Sequence, residues 1–188
     1  STAGPAPARE SSTVSTSHSI MPAAALALFW AWVGGVYHIG FFSQINPAAY
    51  FFGGLFIAQA TLLLYASSTL RPRFCFTLSP AKSIGALFVI YAIFLYPLLN
   101  YVFGHTYPRM PVFGITPCPL TIFTLGILLW SERRIPLYLL AIPFLWSLIG
   151  VSAAIQLGIT EDYGLVVAGL AGSLLIALRN RAIHRRSP

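Results

Sequence analysis

The chain has 188 residues, 57% of them hydrophobic and 8% charged, with a mean hydropathy of +0.77. Soluble domains carry roughly 25% charged residues; charge this scarce cannot cover a water-facing surface, so the solvent is largely lipid, and the length leaves no room for a second domain. The net charge of +7 suggests nucleic acid at first sight, but the placement of the charges along the chain argues against it.

Residues 1–20 are rich in Ser, Thr, Ala and Pro and lack the basic start and apolar centre of a signal peptide; they read as a disordered polar tail. Six apolar stretches follow as candidate membrane helices: Met21–Phe42, Pro47–Ala66, Lys82–Phe103, Cys118–Trp130, Pro136–Leu157 and Tyr163–Leu178. The predicted fold is therefore an all-α integral membrane bundle over 21–180, with a basic C-terminal tail at 181–188. The fourth and sixth stretches are short. The thirteen residues of the fourth rise only about 20 Å, less than the roughly 30 Å hydrocarbon core.

Arg9, Arg71, Arg73, Lys82, Arg133, Arg134, Arg179, Arg181, Arg185 and Arg186 fall on one side of a six-helix plan, and only Arg109 falls on the other. Positive residues concentrate on the cytoplasmic side, which places both termini there and makes the basic excess a signal of topology. Nucleic-acid binding is excluded on that ground. Asn46 and Pro47 read as the cap and first residue of the second helix, and Glu161 and Asp162 as dipole-stabilising acids at the start of the sixth. Pro97 and Pro143 predict kinks. Gly34-Gly35, Gly53-Gly54 and the run Gly164, Ala168, Gly172 offer small faces for close packing. Gln59, in the middle of helix two, either lines a pathway or bonds across helices.

Between helices three and four lies GHTYPRMPVFGITPCP, Gly104 to Pro119, with four prolines and two glycines. A loop this rigid before a helix this short predicts a re-entrant segment on the outer side. Irregular backbone at that depth is tolerated where protein or a water-filled cavity shields it. Cys118 would sit at the N-terminus of the short helix, where the dipole favours a reactive thiolate, although a lone cysteine is more often a small buried hydrophobe.

On this plan the groups able to move protons or bind ligands gather at the outer face: His38, Asn46, His105, Tyr107, Arg109, Cys118, Glu161 and Asp162. His38, His105 and Cys118, with a carboxylate, are chemically suited to zinc or copper, though no ligand spacing supports a metal. The cytoplasmic side offers mainly arginines, and the terminal RNRAIHRR is suited to anionic lipid. The phenylalanines and tyrosines read mostly as lipid-facing bulk and interfacial belts. The two cysteines, Cys75 and Cys118, form no framework, and no nucleotide, metalloprotease or hydrolase motif occurs.

The stretches GVYHIGFFSQINPAAYFFGGLFIAQATLLL, YPLLNYVFGHTYPRMPVFGITPCPLTIFTLGILLW and IPFLWSLIGVSAAIQLGITEDYGLVVAGL resemble a group of small bacterial polytopic membrane proteins catalogued only as a domain of unknown function, with the pattern GHxYPxxPxFGxxPCP. The resemblance runs from about Trp30 to Leu175 and implies a multi-pass protein of the bacterial cytoplasmic membrane. It singles out His38, His105, Pro108, Cys118, Pro119, Glu161 and Asp162 and brings no activity with it. Three functions remain as expectations. One is a small-solute or ion pathway, transporter or channel, which at this size would need a homo-oligomer. A second is a membrane enzyme or metal-handling protein using Cys118 with His38 and His105. The third is an accessory subunit of a larger membrane complex that contacts the N-terminal tail.

Overall fold

The computed structural model of the chain describes residues 21–70, 72, 74, 79–104, 112–157 and 160–186. Among them the protein is helical, with one isolated antiparallel bridge between Phe74 and Ser131. In chain order the helices are α1 (Met21–Trp32), α2 (Ala49–Thr69), α3 (Pro80–Ile90), α4 (Tyr96–Val102), α5 (Pro117–Leu129), α6 (Tyr138–Leu157), α7 (Tyr163–Val167) and α8 (Ser173–Arg186). Three π-helical stretches, Val33–Phe41, Tyr91–Leu95 and Ala168–Gly172, extend α1, join α3 to α4 and join α7 to α8.

Four continuous helical spans are long and apolar enough to cross a membrane: Pro22–Gln44, Ala49–Thr69, Pro80–Val102 and Thr160–Arg185. Pro117–Leu129 and Tyr138–Gly150 are shorter apolar helices. The last span is not short, as its apolar run suggested. The helix continues through the arginines to Arg186, because Leu, Arg and Ala are good helix formers and nothing before Arg186 breaks it.

The distribution of polarity is that of a protein in lipid. Leu28, Phe94, Leu98, Val167 and Leu174 point outward and are more than half exposed, whereas His38, Gln59, Asn100, Thr124, Glu161 and Asp162 are buried. The shortness of α5 now has a physical reason. Ten of its 13 residues are buried, so the other helices enclose it and it has no lipid thickness to match. Trp30 Nε1 donates to Thr124 Oγ1 at 2.9 Å and ties α1 to α5. Before α5, Gly114 takes a positive φ of 82°. Next to this turn Phe113 packs between Phe29 and Phe123 in tilted contacts, with ring centroids 5.2 and 4.5 Å away.

Glycines set two close crossings. Gly34 faces Gly53 where α1 and its π extension cross α2, and Gly85 faces Gly126 where α3 crosses α5. Gly35 and Gly54 stand against open space, so only one member of each sequence pair packs. Gly164 lies against the ring of Tyr91, and Gly172 against Leu125 and Phe88.

Arginines finish the helices at one end of the bundle. Arg179 Nη1 donates to Leu128 O and Leu129 O, both at 3.0 Å, and so caps α5. Arg133 Nη1 reaches Leu70 O at the end of α2, at 3.1 Å. A guanidinium there satisfies carbonyls that lack intrahelical donors and complements the helix dipole. Asn180 grips both backbone groups of Ile135, donating from Nδ2 to the carbonyl at 2.6 Å and accepting the amide at 3.1 Å. Lys82 pairs with Glu132 at 3.5 Å.

Gln59 has a definite task. Its Nε2 donates to Leu139 O at 2.9 Å, the carbonyl whose intrahelical donor would be residue 143, which is a proline inside α6. Proline has no N–H to give, so a side chain of α2 supplies the missing bond. Gln59→Leu is expected to lower stability by about 1–2 kcal/mol, and Pro143→Ala is expected to remove most of that loss by restoring the backbone donor. Thermal unfolding of the two single variants and the double variant in detergent checks this; purely additive effects would contradict it.

Other local features refine the expectations. Asn46 stands ahead of Pro47 as a cap would: its Oδ1 accepts Ala48 N at 3.0 Å and its carbonyl accepts Ala49 N at 3.0 Å, closing the turn that leads into the regular winding of α2 from Ala49. At Pro97 the helix passes into α geometry directly after the π stretch Tyr91–Leu95, a wider winding that accommodates a missing N–H. Glu161 and Asp162 stand at the start of the last span, as expected, in a 3-10 turn that leads into α7.

Candidate functional site

At the end of the bundle opposite the arginines, five helical segments converge on a polar interior. Asp162 is 5% exposed and Glu161 1% exposed, so both carboxyl groups have left water although they are neighbours in sequence. The Tyr96 hydroxyl, from the start of α4, donates to Asp162 Oδ1 at 2.5 Å. Tyr91 donates from its hydroxyl to Glu161 O at 2.6 Å. The two tyrosines thus hold the 3-10 turn from the same side, and their rings meet edge to face. Tyr91 fits because residue 164 is glycine; a Cβ there would stand 2.5 Å from the tyrosine ring.

Cys118, in the first turn of α5, faces the Asp162 carboxyl group, Tyr96 and the indole of Trp146 in α6. Tyr37, on the π extension of α1, lies near Cys118 and Asp162. Its neighbour His38 is fully buried and is enclosed by aromatic rings. Phe56 and Trp146 are nearest, with centroids 4.7 and 5.2 Å from the imidazole, and Tyr37, Phe42 and Phe52 close the remainder. Neither imidazole nitrogen has a hydrogen-bond partner, nor does Trp146 Nε1. A buried polar group left unpaired costs about 1–3 kcal/mol, so these atoms hold hydrogen-bonding capacity that the fold does not use.

The local windings explain the convergence. Tyr37 and His38 lie in one π stretch, Tyr91 opens the second and Tyr96 directly follows it. The third brings Gly169 against Ser147 of α6, next to Trp146. An i→i+5 winding rotates side chains away from the α register, and such bulges concentrate at functional sites. The arrangement can bind and release a proton at Asp162, orient that carboxyl group through Tyr96, and offer donors and acceptors toward His38 through Trp146.

Of the residues singled out from sequence, His38, Cys118, Glu161 and Asp162 are buried or partly buried in this one region. Asn46 is exposed and serves a turn. His105, Tyr107 and Arg109 lie outside the described residues, as do Pro108, Cys75 and the N-terminal tail. The proposed ligand set of His38, His105 and Cys118 therefore cannot be assembled from described side chains, and among the described residues no three His, Cys, Asp or Glu are grouped to hold a metal. The sequence reading missed Tyr37, Tyr91 and Tyr96, which it grouped with the lipid-facing and interfacial aromatics, and it did not weigh Trp146. A signal existed: Tyr91 and Trp146 fall mid-span, where a phenol or indole needs a polar partner, rather than at the interfacial belts.

No curated protein and no solved structure matches the chain. Residues 12–187 match one family across nearly the whole sequence, including every helix that builds the polar interior. The chain belongs to a family of unknown function, DUF6064.

Proposed function

We propose that the protein is a multi-pass protein of the bacterial cytoplasmic membrane that provides a small-solute or ion pathway, with Asp162 as its proton-binding group. The observation that carries the reading is the buried Asp162 carboxyl group, held by Tyr96 where five helical segments meet. Ionisable groups inside a membrane bundle are costly and are retained chiefly for function. Cys118, Trp146 and His38 extend hydrogen-bonding capacity from Asp162 toward the bundle interior.

In this reading the chain crosses six times with both termini cytoplasmic. The arginine-capped end faces the cytoplasm, as the positive-inside rule requires, and Asp162 belongs to the outer half. The stretch before α5 is re-entrant; the packing of Phe113 on Phe29, well inside the first span, supports it. Asp162 exchanges a proton with the outer medium. Tyr96 keeps the carboxyl group in one orientation by donating to Oδ1, and a second oxygen remains to carry the proton.

The test is proton movement. Protein reconstituted into vesicles with an internal pH-sensitive dye, under an imposed potential, is expected to dissipate a pH step faster than protein-free vesicles. Rates equal to those of protein-free vesicles, with and without a panel of small solutes outside, would sink the reading.

A second reading, a membrane enzyme, is favoured by the Cys118 thiol facing a carboxyl group and an indole. It requires Cys118 to react, so alkylation of the folded protein by a small maleimide separates the two: an inert thiol leaves only the pathway.

A further inference from the structure

At the arginine-capped end of the bundle the described side chains include six cations, Lys82, Arg133, Arg134, Arg179, Arg181 and Arg185, and one acid, Glu132. The fold employs four of the six. Arg133 and Arg179 close helix ends, Arg134 Nε donates to Asn180 O at 3.4 Å, and Lys82 pairs with Glu132. Arg181 and Arg185 are exposed and have no partner among the described residues.

Their placement on α8 sets them against lipid. Residues 174, 178, 181 and 185 are three or four apart, so they share one helix face, and they read Leu, Leu, Arg, Arg. Leu174 and Leu178 are 59% and 48% exposed within a span long and apolar enough to cross a membrane, so this face meets hydrocarbon. At 1.5 Å per residue, Arg181 stands about 4.5 Å and Arg185 about 10 Å beyond Leu178, the depth of the head-group layer. A recess of about 350 Å³ lies there, lined among the described residues by Leu178, Arg181, Ala182 and Arg185.

We propose that this recess binds the phosphate of an anionic phospholipid, with one acyl chain lying along Leu178 and Leu174. Two side chains one helical turn apart are close enough to share a phosphate, and a guanidinium offers paired N–H donors that match phosphate oxygens. Charge and depth together choose the occupant. A zwitterionic head group brings a cation of its own to an end where cations already outnumber acids. An acidic protein segment would meet charge standing clear of the membrane, whereas these arginines directly continue a row of exposed leucines. The proposal does not rest on proton movement, since Asp162 lies at the opposite end of the bundle.

The experiment is native mass spectrometry of the full chain in detergent, titrated with phosphatidylglycerol or with phosphatidylcholine of the same acyl chains. Phosphatidylglycerol is expected to bind about thirtyfold more tightly, the ratio that about 1 kcal/mol from each of two arginines gives. Arg181→Ala/Arg185→Ala is expected to lower its affinity to that of phosphatidylcholine. Both side chains are exposed, so thermal unfolding in detergent is expected to be unchanged. Arg9→Ala/Arg109→Ala removes the same charge elsewhere and is expected to leave the preference intact, and inorganic phosphate, which lacks the acyl chain, is expected not to displace the lipid. Equal affinity for the two lipids would overturn the proposal. So would a preference that survives the Arg181/Arg185 double variant, falls as far in the charge control, or is abolished by inorganic phosphate.

Discussion

Asp162→Asn is expected to reduce proton movement in reconstituted vesicles to the level of protein-free vesicles, while the chain still folds. The two effects separate because of what the side chain does. Asparagine keeps a carbonyl oxygen that accepts from the Tyr96 hydroxyl, now 2.5 Å from Asp162 Oδ1, so the link between α4 and the 3-10 turn survives. It cannot take up a proton, so the transfer step is lost. Loss of one essential proton-transfer group lowers rate by about 10²–10⁴-fold, which falls below the leak of the vesicle itself. Tyr96→Phe is expected to do less. It leaves the carboxyl group in place beside Cys118 but without the Tyr96 bond, costing about 1–3 kcal/mol in stability for the unmet bond and slowing transfer without ending it. Unchanged rates in Asp162→Asn, with the protein folded by thermal unfolding in detergent, would remove Asp162 from the pathway.

The second large effect is on stability. A Cβ at Gly126 would stand 2.7 Å from Gly85 O, and one at Gly85 equally close to Gly126 O. The obstruction is backbone, which cannot rotate aside, and α5 cannot retreat because helices surround it. Gly126→Val is therefore expected to lower stability by about 3 kcal/mol, the upper end for overpacking. It should also loosen α5, whose first turn carries Cys118. Gly54→Val is the contrast: nothing stands within 4 Å of a Cβ there, and its effect is expected within about 0.5 kcal/mol. Thermal unfolding of both variants in detergent decides; equal midpoints would mean the α3–α5 crossing is not set by these glycines.

The apolar helices and the end of the bundle that gathers acids were legible in the sequence because lipid imposes one requirement on every residue. Long apolar runs must be helical to satisfy their backbone, and charges must go to the ends. That reasoning carries no information about enclosure. The thirteen-residue run that becomes α5 was legible as too short for a bilayer, but its place inside the bundle depends on Gly85, Gly126 and Arg179, distant in sequence and unconnected by any period. Arg179 shows the same limit: it read as a mark of sidedness, and in the fold it closes α5 through two carbonyls.

His38, Cys118 and Asp162 were legible as chemistry because they are rare in an apolar chain. The tyrosines that organise them were not, since in a membrane protein aromatic residues are abundant and only contacts separate a belt tyrosine from one holding a carboxylate. Gln59 stood between. Its polarity demanded a partner, but the partner's identity followed from Pro143, eighty-four positions away, through a carbonyl that proline leaves without a donor.

The account rests on Asp162 gaining and losing a proton inside the bundle. The most direct measurement is infrared difference spectroscopy of the protein in lipid, stepping the bulk pH and following the carboxylic C=O stretch, beside Asp162→Asn and Tyr96→Phe. The account predicts a carboxyl band that comes and goes with pH, is missing in Asp162→Asn and shifts in frequency in Tyr96→Phe, where the hydroxyl no longer donates. Wild-type and Asp162→Asn difference spectra that superimpose would contradict it, since Asp162 would then exchange no proton with the medium.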